Sequence, residues 1–365
     1  MKIEIPRDTL FDALSAIIGV VERRQTLPIL GNVLATADEN MLTLLSTDLE
    51  LQLSCSVPVT VIRPGSITLP ARKMFDICRG LPDGAQIALE IADGRAVLSS
   101  SGSRFTLSTL PAEEFPRLEV ESDGEPLRLQ QRELLRLLEK THFAMAAQDV
   151  RYYLNGLCLH LSDRLLRAVA TDGHRLALSE CELSDRFEDR QVLVPRKGVQ
   201  ELQRLLEDTE SMVELRLSAS QVALEVGSIA FVCKLIDGRF PEYQRVIPDA
   251  DGMQLSGDRE RVRQALARAA ILANEKFRGV RLQLAENELR LQTHNPEHEE
   301  AEEVVEVHYA GTPLEIGFNV TYLLDALGAM DGEEFRLNLK AADASGLLTD
   351  PSDDHTRYVV MPMRL

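Results

Sequence analysis

Three stretches decide how the chain folds: Met41-Leu-Thr-Leu-Leu-Ser-Thr-Asp48, Leu165-Leu-Arg-Ala-Val-Ala-Thr-Asp172 and Glu288-Leu-Arg-Leu-Gln-Thr-His-Asn295. Each mixes apolar and polar residues in near alternation and closes on a polar turn, as a half-buried strand does. The turns fall at 48, 172 and 295, spaced by 124 and then 123 residues. A period that constant points to one structural plan used three times.

Working outward, an amphipathic helix precedes each stretch. Leu10, Phe11, Leu14, Ile17, Ile18 and Val21 carry the first, Leu134, Leu135, Leu138 and Met145 the second, and Val262, Leu266, Ala269 and Leu272 the third. A second short helix follows, opening with Pro70-Ala-Arg-Lys73, Pro195-Arg-Lys197 and Phe318-Asn-Val-Thr321. Proline suits the first helical turn, where its missing N–H costs nothing. Strands then close each third, at Arg104–Pro111, Phe231–Leu235 and Arg357–Met363. Glu121–Gly124 and Pro248–Gly252 are polar and turn-rich and mark boundaries. The expected fold class is α+β: three tandem helix-strands-helix-strands domains at 1–124, 125–251 and 252–365.

Composition narrows the function. The 365 residues carry 40 Lys and Arg against 58 Asp and Glu, a formal charge of −18. That argues against wholesale basic wrapping of nucleic acid and leaves room for a local basic stripe. No run of 18 apolar residues suggests a membrane-spanning helix. The opening Met-Lys-Ile-Glu-Ile-Pro-Arg-Asp lacks the apolar core and cleavage site of a signal peptide. Cys55, Cys78, Cys158, Cys181 and Cys233 are scattered without a C-x-x-C pair. A cytoplasmic protein with reduced thiols is expected.

The basic residues gather on the predicted helices. Arg132, Arg136 and Lys140 stand at i, i+4, i+8, and Arg259 and Arg263 at i, i+4. The short helices add Arg72, Lys73 and Arg79, then Arg196, Lys197 and Arg204. Each stripe alone suits a solvated face; equivalent placement across the repeat suggests attraction for the phosphate backbone of duplex DNA. Such contacts carry no base sequence. Screening limits exposed charge to about 8 Å, so a stripe can act despite the net charge. Opposite charge is concentrated in Glu297-His-Glu-Glu-Ala-Glu-Glu303, either an acidic solvent loop or an ionic subunit contact with Arg104.

Motifs for chemistry are missing. There is no G-x-G-x-x-G, no P-loop, no G-x-S-x-G and no H-E-x-x-H. His294 and His298 beside glutamates resemble a metal cluster on a loop, which leaves a metal-dependent hydrolase as one alternative and a static DNA-binding module as another. Thr171-Asp-Gly-His-Arg175 brings a His near an Asp, yet Asp-Gly is foremost a turn dipeptide and no nucleophile completes a triad. No cofactor is expected. In the terminal Tyr358–Leu365, Val359 and Val360 suit a core strand, whereas Met361 and Met363 suit an adaptable binding surface.

Several strings resemble the bacterial DNA polymerase III β subunit family, the sliding clamps. They include Thr26-Leu-Pro-Ile-Leu-Gly-Asn32, Asp76-Ile-Cys-Arg-Gly-Leu-Pro82, Gln148-Asp-Val-Arg-Tyr-Tyr-Leu-Asn-Gly156, Ala170-Thr-Asp-Gly-His-Arg-Leu176, Asp237-Gly-Arg-Phe-Pro241, Asn274–Val280 and the terminal Met-Pro-Met-Arg-Leu. The resemblance runs in order along essentially the whole chain. It implies a head-to-tail homodimeric ring with helices inside and sheets outside, encircling duplex DNA. It implies a non-catalytic processivity factor that tethers a replicative polymerase and is placed by an ATP-driven clamp loader. Translesion polymerases and other partners would dock through a short peptide.

Carried over by matching positions, the resemblance implies a peptide groove at Leu154, Thr171, Gly173, His174, Arg175 and Leu176. Pro241, Arg245, Val246, Phe277, Asn319 and Tyr322 would continue it, with Ser345, Met361, Pro362, Met363, Arg364 and Leu365. DNA contacts would fall to Arg24, Gln148, Tyr152, Tyr153 and Lys197, supported by Arg72, Lys73, Arg79 and Arg196. At the ring seam, Arg104 and Phe105 would face Ile271, Leu272, Glu299, Glu300, Glu302 and Glu303. Two positions depart from the family's pattern. Gly102 stands where a second basic residue can occur, implying fewer ion pairs at the seam, and Asp343 stands where an apolar groove residue can occur, which bears on partner preference.

Overall fold

The computed structural model describes residues 1–21, 27–92, 94–121 and 126–364. Among them are six α-helices: α1 (Arg7–Ile17), α2 (Ala71–Gly80), α3 (Gln131–Glu139), α4 (Arg196–Leu205), α5 (Arg259–Ala269) and α6 (Val320–Ala329). Each follows a strand without an intervening loop. Local chemistry explains these entries. Asp258 accepts from Arg261 N at 2.8 Å and Asn319 from Thr321 N at 2.9 Å, so each side chain satisfies an otherwise orphaned N–H of α5 or α6. Pro70 is held extended just before α2 and sets its entry.

The chain divides into two compact units. One comprises 1–132 with 200–235, the other 133–199 with 236–365. The first holds a five-stranded sheet running from Thr60–Arg63 to Ser103–Ser108 and an eight-stranded sheet running from Pro126–Gln130 to Gly65–Pro70. The second holds a seven-stranded sheet from Gly156–Thr171 to His308–Tyr309 and a four-stranded sheet from Glu300–Glu306 to Leu314–Asn319. The strand pairings among the described residues are antiparallel, and two of them join successive repeats. Phe231 lies opposite Leu53 in the eight-stranded sheet, and Arg175 lies opposite Val360 in the seven-stranded one. Continuing a neighbour's sheet removes strand edges that would otherwise invite aggregation.

The expected periodicity is visible in what is buried. Leu10, Leu14 and Ile17 of α1, and Val262, Leu266 and Ala269 of α5, face inward. Each large apolar side chain so buried contributes about 1.5–3 kcal/mol. All three repeat-opening helices end earlier than their apolar spacing suggests: α1 stops at Ile17, Ile18 opens a 3-10 turn at Ile18–Val20 and Val21 lies past it. Met145 lies beyond α3, after a 3-10 turn at His142–Ala144, and Leu272 closes a 3-10 turn at Ala270–Leu272. Just past α3, the Thr141 hydroxyl donates to the Leu137 carbonyl at 2.6 Å, competing with the main-chain ladder there. Glu297–Glu303 is not a loop throughout. From Glu300 it is an edge strand paired to Glu288–His294, with Glu302 opposite Gln292.

The Arg132, Arg136, Lys140 stripe is not a free basic face. Arg136 donates to Ser179 Oγ at 3.1 Å and the Glu180 carbonyl at 2.9 Å. Lys140 is only 6% exposed and donates to the Ala329 carbonyl at 2.6 Å and to Asp331 at 2.7 Å. Helical spacing placed them on one side, but at Arg136 and Lys140 that side meets protein, and Arg132 pairs with exposed Glu210 at 3.0 Å. No helix among the described residues is long and apolar enough to cross a membrane.

Candidate functional site: an apolar cleft with a charged rim

The second unit contains an open cleft of about 650 Å³ of empty space. Its apolar members are Leu154, Leu176, Pro241, Val246, Val359 and Met361, and Thr171, Gly173 and Arg175 stand along it. Leu154, Leu176 and Val359 belong to a buried cluster with Phe240 and Tyr243, so the floor is fixed by the core beneath it. Val246 and Met361 are respectively 45% and 42% exposed and form the lips. An apolar depression with few polar groups suits apolar groups of a bound molecule.

One turn organises the polar side. Asp172 Oδ1 accepts from His174 N at 2.9 Å and Arg175 N at 3.0 Å, while Thr171 Oγ1 donates to the Arg175 carbonyl at 2.6 Å. Gly173 sits at φ +88°, and a Cβ there would lie 2.8 Å from the Arg151 guanidinium. Glycine is therefore needed for the left-handed conformation, while the Arg151 side chain could move aside for a Cβ. The Arg175 guanidinium pairs with Asp172 at 3.1 Å and Asp325 at 2.5 Å, and donates to the Phe143 carbonyl at 2.7 Å. It also stacks over Tyr322, 4.5 Å from the ring centre. Thus the Asp-Gly-His-Arg string builds a rigid corner and assembles no nucleophile.

The C-terminal segment is tied beside it. Met361 N donates to the His174 carbonyl at 2.9 Å, and Met363 N to the Gly317 carbonyl at 2.8 Å. Strand pairing stops at Val360, so Pro362 lies outside the ladder, as its missing N–H suggests.

The expected groove residues therefore separate. Leu154, Thr171, Gly173, Arg175, Leu176, Pro241, Val246 and Met361 line the cleft. Tyr322 backs Arg175, and Asn319 donates to the Phe277 carbonyl at 3.4 Å, neither lining the cleft. His174 and Arg245 are exposed at its margin, Phe277 and Arg364 are exposed, and Ser345, Pro362 and Met363 are half-buried. Leu365 lies outside the described residues. Asp343 is exposed and does not line the cleft.

Five lining residues were not expected there: Arg151, Tyr153, Glu242, Tyr243 and Val359. Tyr153, assigned to DNA by resemblance, stands in the cleft wall. The Gln148–Gly156 string held the signal for Arg151, which is bound to Asp149 at 2.8 Å. The Arg151 guanidinium holds the Asp149 carboxyl down at about 2.

The residues assigned to DNA divide by what they already hold. Lys73 is exposed on α2, Gln148 is exposed in a left-handed conformation at φ +56°, and Tyr152 is exposed. Arg79 pairs with Asp76 at 2.7 Å, and Lys197 lies half-buried in the first turn of α4. Arg72 donates to the Val21 carbonyl at 2.5 Å and Arg196 to the Met145 and Ala146 carbonyls at 2.7 and 3.0 Å, so both have structural work. Burial also lowers the Arg196 pKa. Arg24 lies outside the described residues.

Of the seam candidates, Arg104 and Phe105 lie on the edge strand Ser103–Ser108 of the five-stranded sheet. Glu300, Glu302 and Glu303 lie on the edge strand of the four-stranded sheet. Ile271 is 76% exposed, with Leu272 beside it half-buried. Glu302 already pairs with Arg290 at 2.9 Å and Glu303 with Arg268 at 2.7 Å, while Glu299 accepts from Asn295 at 2.7 Å. Among the described residues no three His, Cys, Asp or Glu side chains converge as metal ligands, and His294 and His298 lie on an exposed strand end and turn.

Comparison with known proteins agrees with this geometry. The family descriptions for the N-terminal, central and C-terminal domains of the DNA polymerase III beta subunit match residues 1–119, 128–242 and 244–364. The chain is 50% identical to the beta sliding clamp of Pseudomonas putida, covering 100% of both chains. It is 46% identical to the solved DNA polymerase III subunit beta of Pseudomonas aeruginosa, with a TM-score of 0.97 and full coverage of both. A P. aeruginosa sliding clamp solved bound to griselimycin is also 46% identical, at a TM-score of 0.96 over the full length of both. The metal-hydrolase and static-module alternatives find no support in these relatives. Three tandem clamp domains and full-length similarity to sliding clamps together make this chain a member of the DNA polymerase III beta subunit family, a DNA sliding clamp and processivity factor with no enzymatic role.

Proposed function

We propose that two copies of this chain close head to tail into a ring around duplex DNA, and that the cleft of the second unit receives short peptides from its partners. The edge strand carrying Arg104 and Phe105 in one copy meets the Ile271, Leu272 and acidic-strand surface of the other. Two unpaired strand edges are natural partners for each other. The three domains divide at 1–124, 125–251 and 252–365, and the protein acts in the cytoplasm.

The observation that carries the peptide reading is the joining of an apolar floor, Leu154, Leu176 and Val359, to lips at Val246 and Met361 beside the rigid Arg175 corner. Leucine or phenylalanine anchors fill the floor, and polar groups at the margin hold the peptide backbone. Partners are the clamp loader, replicative and translesion polymerases and other proteins bearing such a segment. Tethering raises the polymerase's effective concentration at the primer end, so repeated rebinding replaces tight binding. Lys73, Gln148, Tyr152 and Lys197 touch the duplex weakly and without sequence preference, helped by Arg24, Arg72, Arg79 and Arg196.

The test is retention on nicked circular DNA after incubation with the clamp loader and ATP, before and after the circle is cut. Retention on the circle that disappears on linearisation is the expected result. Retention that survives cutting would mean groove binding in place of encirclement.

A further inference from the structure

Behind the cleft lies a buried histidine that is not among its lining residues. His160, on Gly156–Thr171, is 3% exposed. Its Nδ1 is 2.6 Å from Tyr243 Oη, and the two rings meet edge to face at 5.8 Å. Its Nε2 lies 3.4 Å from Asp189 Oδ2. The chemistry of the neighbours selects the tautomer. A carboxylate only accepts, so Nε2 carries the proton and faces Asp189. Nδ1 then presents a lone pair, and the Tyr243 hydroxyl donates to it. Burial pushes the Tyr243 phenol up to about 12, so that hydroxyl keeps its proton.

Tyr243 joins this pair to the cleft. Its ring lines the cleft and is packed on Phe240 at 6.4 Å. It opens the 3-10 turn Tyr243–Val246, whose last residue is the exposed lip. Tyr243 N donates to the Pro241 carbonyl at 2.7 Å, so a shift of the tyrosine moves Pro241 and Val246 together.

We infer that His160 is a positioning residue of the peptide cleft, acting through the hydroxyl of Tyr243 to hold the Pro241–Val246 wall. The inference rests on the cleft being the peptide site. A buried hydroxyl left without its acceptor repacks or admits water, and the wall loses its fixed position.

The experiment measures affinity of a short peptide with leucine and phenylalanine anchors for the full-length protein by fluorescence polarisation. His160→Leu removes the acceptor and weakens binding by about fivefold. His160→Asn, whose amide oxygen can stand near the Nδ1 position, restores affinity to within about twofold of the unmodified protein. Tyr243→Phe, which deletes one oxygen and spares the ring, weakens binding as His160→Leu does, and combining the two adds nothing further. Retention on circular DNA stays unchanged throughout. A Tyr243→Phe protein that binds as tightly as the unmodified one would overturn the inference, as would equal losses in His160→Leu and His160→Asn. If the unmodified protein fails to bind the peptide, the cleft assignment itself falls, and this inference with it.

Discussion

Replacing Arg175 with alanine should loosen the corner that carries the polar side of the cleft. Arg175 is 12% exposed and its charge is met by Asp172 at 16% and Asp325 at 35% exposure. The alanine variant leaves two carboxylates facing a space they no longer share with a cation. It also orphans the Phe143 carbonyl and uncovers the Tyr322 face. Removing one partner of a buried pair costs about 3–5 kcal/mol. Water reaches Asp325, which reduces that to about 2–3 kcal/mol. For a unit of this size, the loss lowers the melting temperature by about 5–10 °C. Differential scanning fluorimetry of the full chain would record it, and hydrogen exchange would locate it in the 171–176 turn. Arg175→Lys keeps the charge without the planar fork and should recover only part of the loss. A shift below about 2 °C for Arg175→Ala, with unchanged exchange in the turn, would refute the corner's role.

Three further outcomes follow from the same geometry. Arg151 lowers the Asp149 pKa to about 2, so the pair's contribution is present above the ordinary carboxylate value near 3.8 and is lost as pH falls toward 2. An NMR titration of the Asp149 carboxyl should therefore report a value near 2, returning toward 3.8 in Arg151→Ala. Ile271→Asp places a charge on the most exposed apolar residue of the proposed seam and should give monomers by sedimentation; persistent dimers would move the seam elsewhere. Lys73→Ala should reduce the salt dependence of DNA contact by about one unit of slope, whereas Lys140→Ala should leave that slope unchanged and lower stability instead.

The threefold plan was legible because it is local. Alternation in Met41–Thr47 and Glu288–His294 and the apolar stripes of α1 and α5 can be read within a dozen residues. The grouping into two units was not legible, because it depends on pairings such as Phe231 with Leu53, some 180 residues apart in sequence, which no window contains. The cleft was partly legible for a related reason. Its Thr171–Leu176 turn is one continuous string, but Val359 looked like a core-strand residue and Tyr243 carried no signal of its own, and both are buried. They reach the cleft from below, so burial and function coincide in them and periodicity cannot separate the two.

The basic residues show where reading by spacing reaches its limit. Helical spacing says which side of a helix a cation occupies and is silent on what it meets. Arg136, Lys140, Arg196 and Arg259 all donate to main-chain carbonyls, at Glu180, Ala329, Met145 and Gly332. Two of these acceptors lie at a helix C-terminal end or just beyond it: Ala329 closes α6, and Gly332 follows within three residues. Carbonyls there have no intrahelical donor and carry partial negative charge, so a cation satisfies them much as it would a phosphate oxygen. The same chemistry that makes an arginine a DNA contact makes it a helix cap, and only the fold decides between them. In the proposed ring, the DNA candidates with exposed side chains, Lys73, Gln148 and Tyr152, would meet the duplex most directly, on a chain of net charge −18. Weak contacts would suit the proposed ring, which closure rather than affinity holds on DNA, because strong phosphate binding would slow its sliding.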